Sequence, residues 1–225
     1  MDVHIVCCFL LLLIVQAQSI CYELKKDKNQ YLKYRTGLDF TQSSNFQLHF
    51  KTTADNQLVF YAEKKNIDDK DAPDYEGLYI NDGFLNYFIF NPTPYGTGAS
   101  RGGHVRTDFE VNNGTWITVE FFRNKESTVQ GRHSGDALVN VNQTGMVVNG
   151  KSFVFQGTLQ PLDLHNSDLY IGGHEELYRI EDALVTFDGY VDMFKDLKSN
   201  TELSPEPPGD QFATPKCDRL PSPFS

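Results

Sequence analysis

Apolar and polar residues alternate along most of this chain, and the alternation is interrupted at short intervals by turn signals. In FQLHFK (46–51) Phe46, Leu48 and Phe50 fall on one face of a strand. In WITVEFF (116–122) Ile117, Val119 and Phe121 alternate with Trp116 and Phe122, so both faces are apolar and the strand belongs in the middle of a sheet. Further strands read over 57–62, 77–81, 84–90, 105–111, 137–142, 151–157, 168–172 and 190–194. Asn81-Asp82-Gly83, Asn112-Asn113-Gly114 and Asn149-Gly150 lie between them and supply the positive backbone angles that tight turns need. No stretch shows a helical period, and VDMFKDLKS (191–199) reads as strand then turn. Short strands punctuated in this way stack into an antiparallel β-sandwich or barrel.

The tripeptide Leu-Tyr-Ile occurs twice, at 78–80 and 169–171. A repeat would be similar over its whole unit. Here DYEG and HNSD precede the two copies, and NDG and GGH follow them. They therefore read as two strands of one domain, each with Leu and Ile on one face and Tyr on the other.

The chain has 225 residues, 40% of them hydrophobic, enough to bury the core of one large domain or of two small ones, so length alone does not choose between them. Its first segment is set apart: IVCCFLLLLIV (5–15) is an apolar run followed by Ala17-Gln18-Ser19, which reads as a secretory signal over 1–19. The run is short of the roughly 20 residues that span a bilayer. Asp2 and His4 stand where Lys or Arg would be usual, so an uncleaved anchor is the rival reading. The sandwich is expected over 20–203, and a tail over 204–225 holds six of the ten prolines.

Cys7 and Cys8 leave with the signal, so the mature chain keeps Cys21 and Cys217. In an oxidising compartment the expected state is one Cys21–Cys217 disulfide tying the two ends together; two free thiols or an intermolecular link are the alternatives. Asn113-Gly114-Thr115 and Asn142-Gln143-Thr144 are glycosylation acceptors by pattern, whereas Pro92 excludes Asn91-Pro92-Thr93. The formal charge of −10 argues against nucleic acid as a partner. Arg101, Arg106, Arg123, Lys125 and Arg132 are interleaved with Asp108, Glu110, Glu120 and Glu126, which reads as a solvated mixed-charge surface.

Catalytic patterns are incomplete. Asp108 and Glu110 share one strand face, but no third carboxylate follows at 111–115 to complete a jelly-roll glycosidase set. In HEELY (174–178) Tyr178 replaces the second histidine of the zinc motif. GRHSG (131–135) places its serine one position late for a nucleophile elbow, and Gly96-Thr97-Gly98 lacks the strand-to-helix setting of a phosphate loop. Trp116, at the head of the most apolar strand, is expected in the core.

Several phrases, taken in order over about 30–200, resemble one family. QLHFKTTADNQLVFYAE, DYEGLYINDGFLNYFIFN, NNGTWITVEFFRN, SDLYIGG and FDGYVDMFKDL are similar to successive strands of a laminin G-like domain. The resemblance implies a single antiparallel sandwich of jelly-roll type whose rim loops bind ligands. It departs from the family at the closing strand, where no glycine-cysteine pair occurs; Cys21–Cys217 would replace that bridge. The loop 63–77 holds Asp68, Asp69, Asp71, Asp74 and Glu76, hard oxygen donors of the kind calcium takes. By position in the family, Asp74 matches the calcium-binding aspartate, with a backbone carbonyl of Asn91 or Pro92 as its partner. Such a site would be weak, about 10⁻⁴–10⁻³ M. Tyr95, on the neighbouring Pro/Gly-rich loop, is a candidate ligand contact. The expected function is a secreted, non-catalytic module that recognises a glycan or a cell-surface or matrix protein, with Ca2+ as the cofactor that the resemblance implies. The alternatives are an acidic structural matrix component assembling with calcium and a polysaccharide-active jelly-roll enzyme.

Overall fold

Alternation of this kind leaves each sheet with one apolar face, and two such faces close on each other. The computed structural model describes residues 21–63, 74–91, 102–130, 138–165, 167–174, 186–206 and 214–215. The strands are β1 (Tyr22–Leu24), β2 (Leu32–Arg35), β3 (Ser44–Thr52), β4 (Gln57–Glu63), β5 (Tyr75–Asn81), β6 (Phe84–Phe90) and β7 (Gly103–Glu110). They continue with β8 (Ile117–Gln130), β9 (Leu138–Val148), β10 (Lys151–Gln156), β11 (Asp168–Ile171), β12 (Gly189–Asp196), β13 (Thr201–Glu202) and β14 (Thr214–Pro215). One sheet runs β10-β9-β8-β3-β12-β1-β14, with β13 against β12; the other runs β2-β11-β4-β5-β6-β7. Adjacent strands are antiparallel in every described pair. The fold is a sandwich, one of the two architectures the alternation allows, and of the jelly-roll type that the family resemblance implies; no α-helix occurs among the described residues.

The centre of the sandwich is aromatic. Phe46 is fully buried, with its ring centroid 4.9 Å from Phe40, 5.6 Å from Phe60, 5.5 Å from Phe121 and 5.3 Å from Phe194. These rings come from both sheets, so interleaving them joins the two layers. The two Leu-Tyr-Ile strands behave as expected: Leu78, Ile80, Leu169 and Ile171 lie in the main core, while Tyr170 and Tyr79 belong to a separate cluster with Tyr31, Leu58, Tyr61 and Tyr75.

Three residues sit elsewhere than their sequence context suggests. Trp116 is only half-buried, because it alternates with core-facing Ile117; Lys51 lies over its ring at 5.4 Å and over Tyr190 at 4.6 Å. Glu76 is a fully buried member of β5 rather than a loop acid, and Arg123 is fully buried rather than part of a solvated surface. The Pro-rich tail also contributes a short strand, since Thr214 and Pro215 pair with Glu23 and Tyr22.

Candidate ligand-binding rim

The register of β5 and β6 decides what stands at one end of the smaller sheet. Tyr75 pairs with Phe90, so Asp74 and Asn91, one residue beyond each strand, are brought side by side. Both then reach for the same crossing segment. The Asp163 backbone N–H donates to Asp74 Oδ2 at 2.7 Å, and Asn91 Nδ2 donates to the Pro161 carbonyl at 2.9 Å. Asn91 is buried, whereas Asp163 is exposed at the rim.

That crossing segment is fixed from below by an asparagine in a left-handed conformation. Asn124 has φ +52° at the irregularity between Phe122 and Lys125, which turns its side chain out of the β8 ladder. Its amide donates to the carbonyls of Gln42 and Leu159, both at 2.9 Å, and its Oδ1 accepts from Leu159 N–H at 2.7 Å. Leu162 N–H donates to the Thr41 carbonyl at 3.0 Å.

Thr41 is in turn held by a buried ion pair that alternation could not announce. Arg123 Nε donates to Glu76 Oε2 at 3.1 Å, both side chains being wholly inaccessible to solvent. Its other nitrogens donate to the carbonyls of Thr41 (3.0 Å) and Phe40. Ser44 and Tyr87 also donate to Glu76 Oε2, at 3.1 and 3.0 Å. Burial pushes the Tyr87 phenol well above its ordinary range; the Glu76 carboxylate adds to this and Arg123 opposes it. Glu76 Oε1 is buried and has no hydrogen-bond partner among the described residues. The cluster joins β3 and β8 of one sheet to β5 and β6 of the other, and through Thr41 it supports the segment that carries Asp163.

Of the residues expected in the site, the structure thus brings Asp74 and Asn91 together; Pro92 and Tyr95 lie outside the described residues. Asp163, Asn124 and Arg123 carry no sequence signal for this place. Asn113 is exposed on the turn before β8, where its Oδ1 accepts from Thr115 N–H at 3.0 Å and from the Thr115 hydroxyl at 2.6 Å. Asn142 is half-buried on β9 and donates to Thr158 Oγ1 at 3.0 Å. Asp108 and Glu110 project from the exposed face of β7, and Asp108 is bound by Lys151 at 2.6 Å.

Calcium takes about six to eight oxygens. Asp74 supplies a carboxylate next to the Asn91 backbone, but no group of three or more acidic, histidine or cysteine side chains converges among the described residues. Such a donor set fits a weak site completed by carbonyls and water and does not fit a closed cage.

An antiparallel jelly roll is an architecture that lectin domains, viral capsid domains and cupins share. The laminin G domain family model matches residues 50–200, and the chain belongs to that family. Family membership makes it a carbohydrate- or protein-binding module by class. Its fold is similar to that of domains LG4-5 of the mouse laminin alpha1 chain, with a TM-score of 0.60 and 19% identity over 84% of this chain and 44% of that one. It is also similar to the LG1-3 region of the laminin alpha2 chain, with a TM-score of 0.55 and 15% identity over 83% of this chain and 34% of that one. The chain therefore spans less than half the length of these laminin structures. Comparison with curated proteins finds no match. No helix among the described residues is long and apolar enough to cross a membrane.

Proposed function

We propose that the chain is a secreted, non-catalytic adhesion module that recognises a glycan or a cell-surface or matrix protein at the rim containing Asp74 and Asn91, with Tyr95 as a further contact. The observation that carries the reading is the β5–β6 register, which sets the Asp74 carboxylate beside the Asn91 backbone at one end of the smaller sheet. Calcium would be held there by Asp74 and by the carbonyls of Asn91 or Pro92, and would present a fixed positive charge to an acidic sugar or side chain.

Secretion is supported by the apolar leader and by the cysteine pattern. Cys217 is the proposed disulfide partner of Cys21, since the pairing of Tyr22 with Pro215 brings the chain within two residues of it. Asn113 and Asn142 are the proposed glycan carriers. Digestion of the secreted protein with N-glycosidase should remove mass at both positions, and an unchanged mass would remove that assignment.

The test of function is an array of extracellular glycans and purified matrix proteins, probed with the full chain with and without chelator. Binding by the wild type that chelator weakens, and that Asp74→Asn weakens to the same degree, is the expected result. Binding that neither treatment alters would move the site away from this rim.

A further inference from the structure

A second polar site lies away from the rim, where β1 and β12 of the larger sheet face the edge strand β2 of the smaller one. A cleft of about 170 Å³ opens there, and Tyr22, Tyr34, Asp192, Phe194, Glu202 and Leu203 are among the residues that line it. We propose that this cleft binds an alkylammonium cation, the group at the end of a lysine side chain or of a choline-like head.

The walls are built rather than incidental. On one side, β12 carries a bulge between Val191 and Met193, which displaces Asp192 from the ladder. On the other, the strap after β13 crosses from sheet to sheet. Leu203 N–H donates to the Phe194 carbonyl at 2.8 Å, and Glu206 N–H donates to the Lys33 carbonyl, also at 2.8 Å. Arg35 closes the strap onto Glu206 at 2.8 Å.

The lining selects for a cation with an apolar stem. Tyr34 is 2% exposed, yet its hydroxyl has no hydrogen-bond partner among the described residues, so it faces the cleft unused. Val191, Phe194 and Leu203 give an apolar floor on which methyl or methylene groups can rest, and Tyr34 packs edge-on to Phe194 at 5.0 Å. None of the lining residues is Lys, Arg or His, while two are carboxylates. Of the cations nearby, only Lys33 is engaged elsewhere; His49 and Lys195 stand beside the two cleft carboxylates without lining the cleft, so an entering ammonium would share each carboxylate with a protein cation. Lys33 is 3.1 Å from Asp168, His49 is 3.3 Å from Asp192, and Lys195 lies opposite Glu202 across the β12–β13 pair. Burial raises the Tyr34 phenol far above its usual range, and neighbouring Tyr22 and Glu202 push it the same way. Aromatic faces beside carboxylates attract organic ammonium groups. A bare divalent ion is disfavoured, because no three ligating side chains converge among the described residues.

The site is independent of the rim reading and can fail without it. The test is a titration of the full chain, followed by amide NMR, with n-butylammonium chloride, tetramethylammonium chloride, the neutral isostere neopentyl alcohol, and sodium chloride at matched ionic strength. Saturable shifts at Tyr22, Val191, Met193, Phe194 and Leu203 with either ammonium salt, absent with the alcohol and with sodium chloride, are expected. The two salts together report whether a lysine-like end or a quaternary head fits. Glu202→Gln, at an exposed position, should leave the melting temperature unchanged and weaken binding by about fivefold to tenfold, the loss of one charge contact. Tyr34→Phe, which keeps the ring, should weaken it as well. Equal shifts with the alcohol, shifts indifferent to Glu202→Gln, or no saturable shift with either salt would overturn the proposal.

Discussion

Replacing Arg123 by methionine should lower stability by about 3–5 kcal/mol, because it leaves the Glu76 carboxylate buried with no counter-charge. At roughly 2–4 °C per kcal/mol for a chain of this size, the melting temperature falls by about 6–20 °C. The size of the effect follows from the environment. Glu76 and Arg123 are both fully buried, and Glu76 Oε1 already lacks a hydrogen-bond partner among the described residues, so no solvent lies beside the carboxylate to relieve the charge. The pair is nonetheless weak evidence of net stabilisation, since taking two ions out of water costs about as much as their attraction returns. Removing both partners, as Arg123→Met with Glu76→Leu, should therefore recover more than half of the loss. Thermal melts of the two single variants and the double variant check this, and additive losses would show that the pair is not coupled. The Arg123 variant should also weaken ligand binding at the rim, because Arg123 holds the Thr41 carbonyl that positions Leu162 and, one residue on, Asp163.

Phe46→Ala is the second large effect, about 3–5 kcal/mol. Its ring touches aromatic neighbours from both sheets, and the rings of Phe60 and Phe121, 4.8 Å apart across the interface, cannot both move into the space it leaves. Urea unfolding should show a lower midpoint with an unchanged slope. Phe46→Leu, which fills most of the volume, should cost less than half as much. A Phe46→Ala loss below about 1 kcal/mol would mean that the sheets do not close on this cluster.

Alternation alone made most of the sandwich legible. Phe46, Leu48 and Phe50 share a buried face as their spacing required, and Tyr79 and Tyr170 point away from the Leu and Ile beside them. The short strands were harder. Tyr22–Leu24 and Leu32–Arg35 are too brief to show a period, and the tail strand contains Pro215, which composition reads as a breaker. Charged residues misled for a physical reason. One-dimensional pattern assigns Glu76 to an acidic loop and Arg123 to a mixed-charge surface, because each is solvated unless a partner distant in sequence neutralises it. The Glu76–Arg123 contact spans 47 positions and depends on the packing of one sheet on the other. Trp116 shows the converse: a large aromatic before an apolar strand was expected inside, but strict alternation with Ile117 turns it outward toward Lys51.

The rim was half legible. Resemblance to the family marked Asp74 and Asn91, and the β5–β6 register puts them side by side. Nothing in PLDLH (161–165) signals that its backbone crosses beside them, because Asp163 is drawn there by a main-chain N–H rather than by a side-chain pattern.

The claim on which the account rests is that this end of the sandwich is where the module takes its ligand, with calcium as the bridge. Amide NMR of the full chain during a calcium titration tests it most directly. Saturable shifts at Asp74, Tyr75, Asn91 and Asp163, abolished in Asp74→Asn while the rest of the spectrum is retained, are the predicted result. A spectrum that calcium leaves unchanged at these residues up to millimolar concentration, or changes only elsewhere, would contradict it.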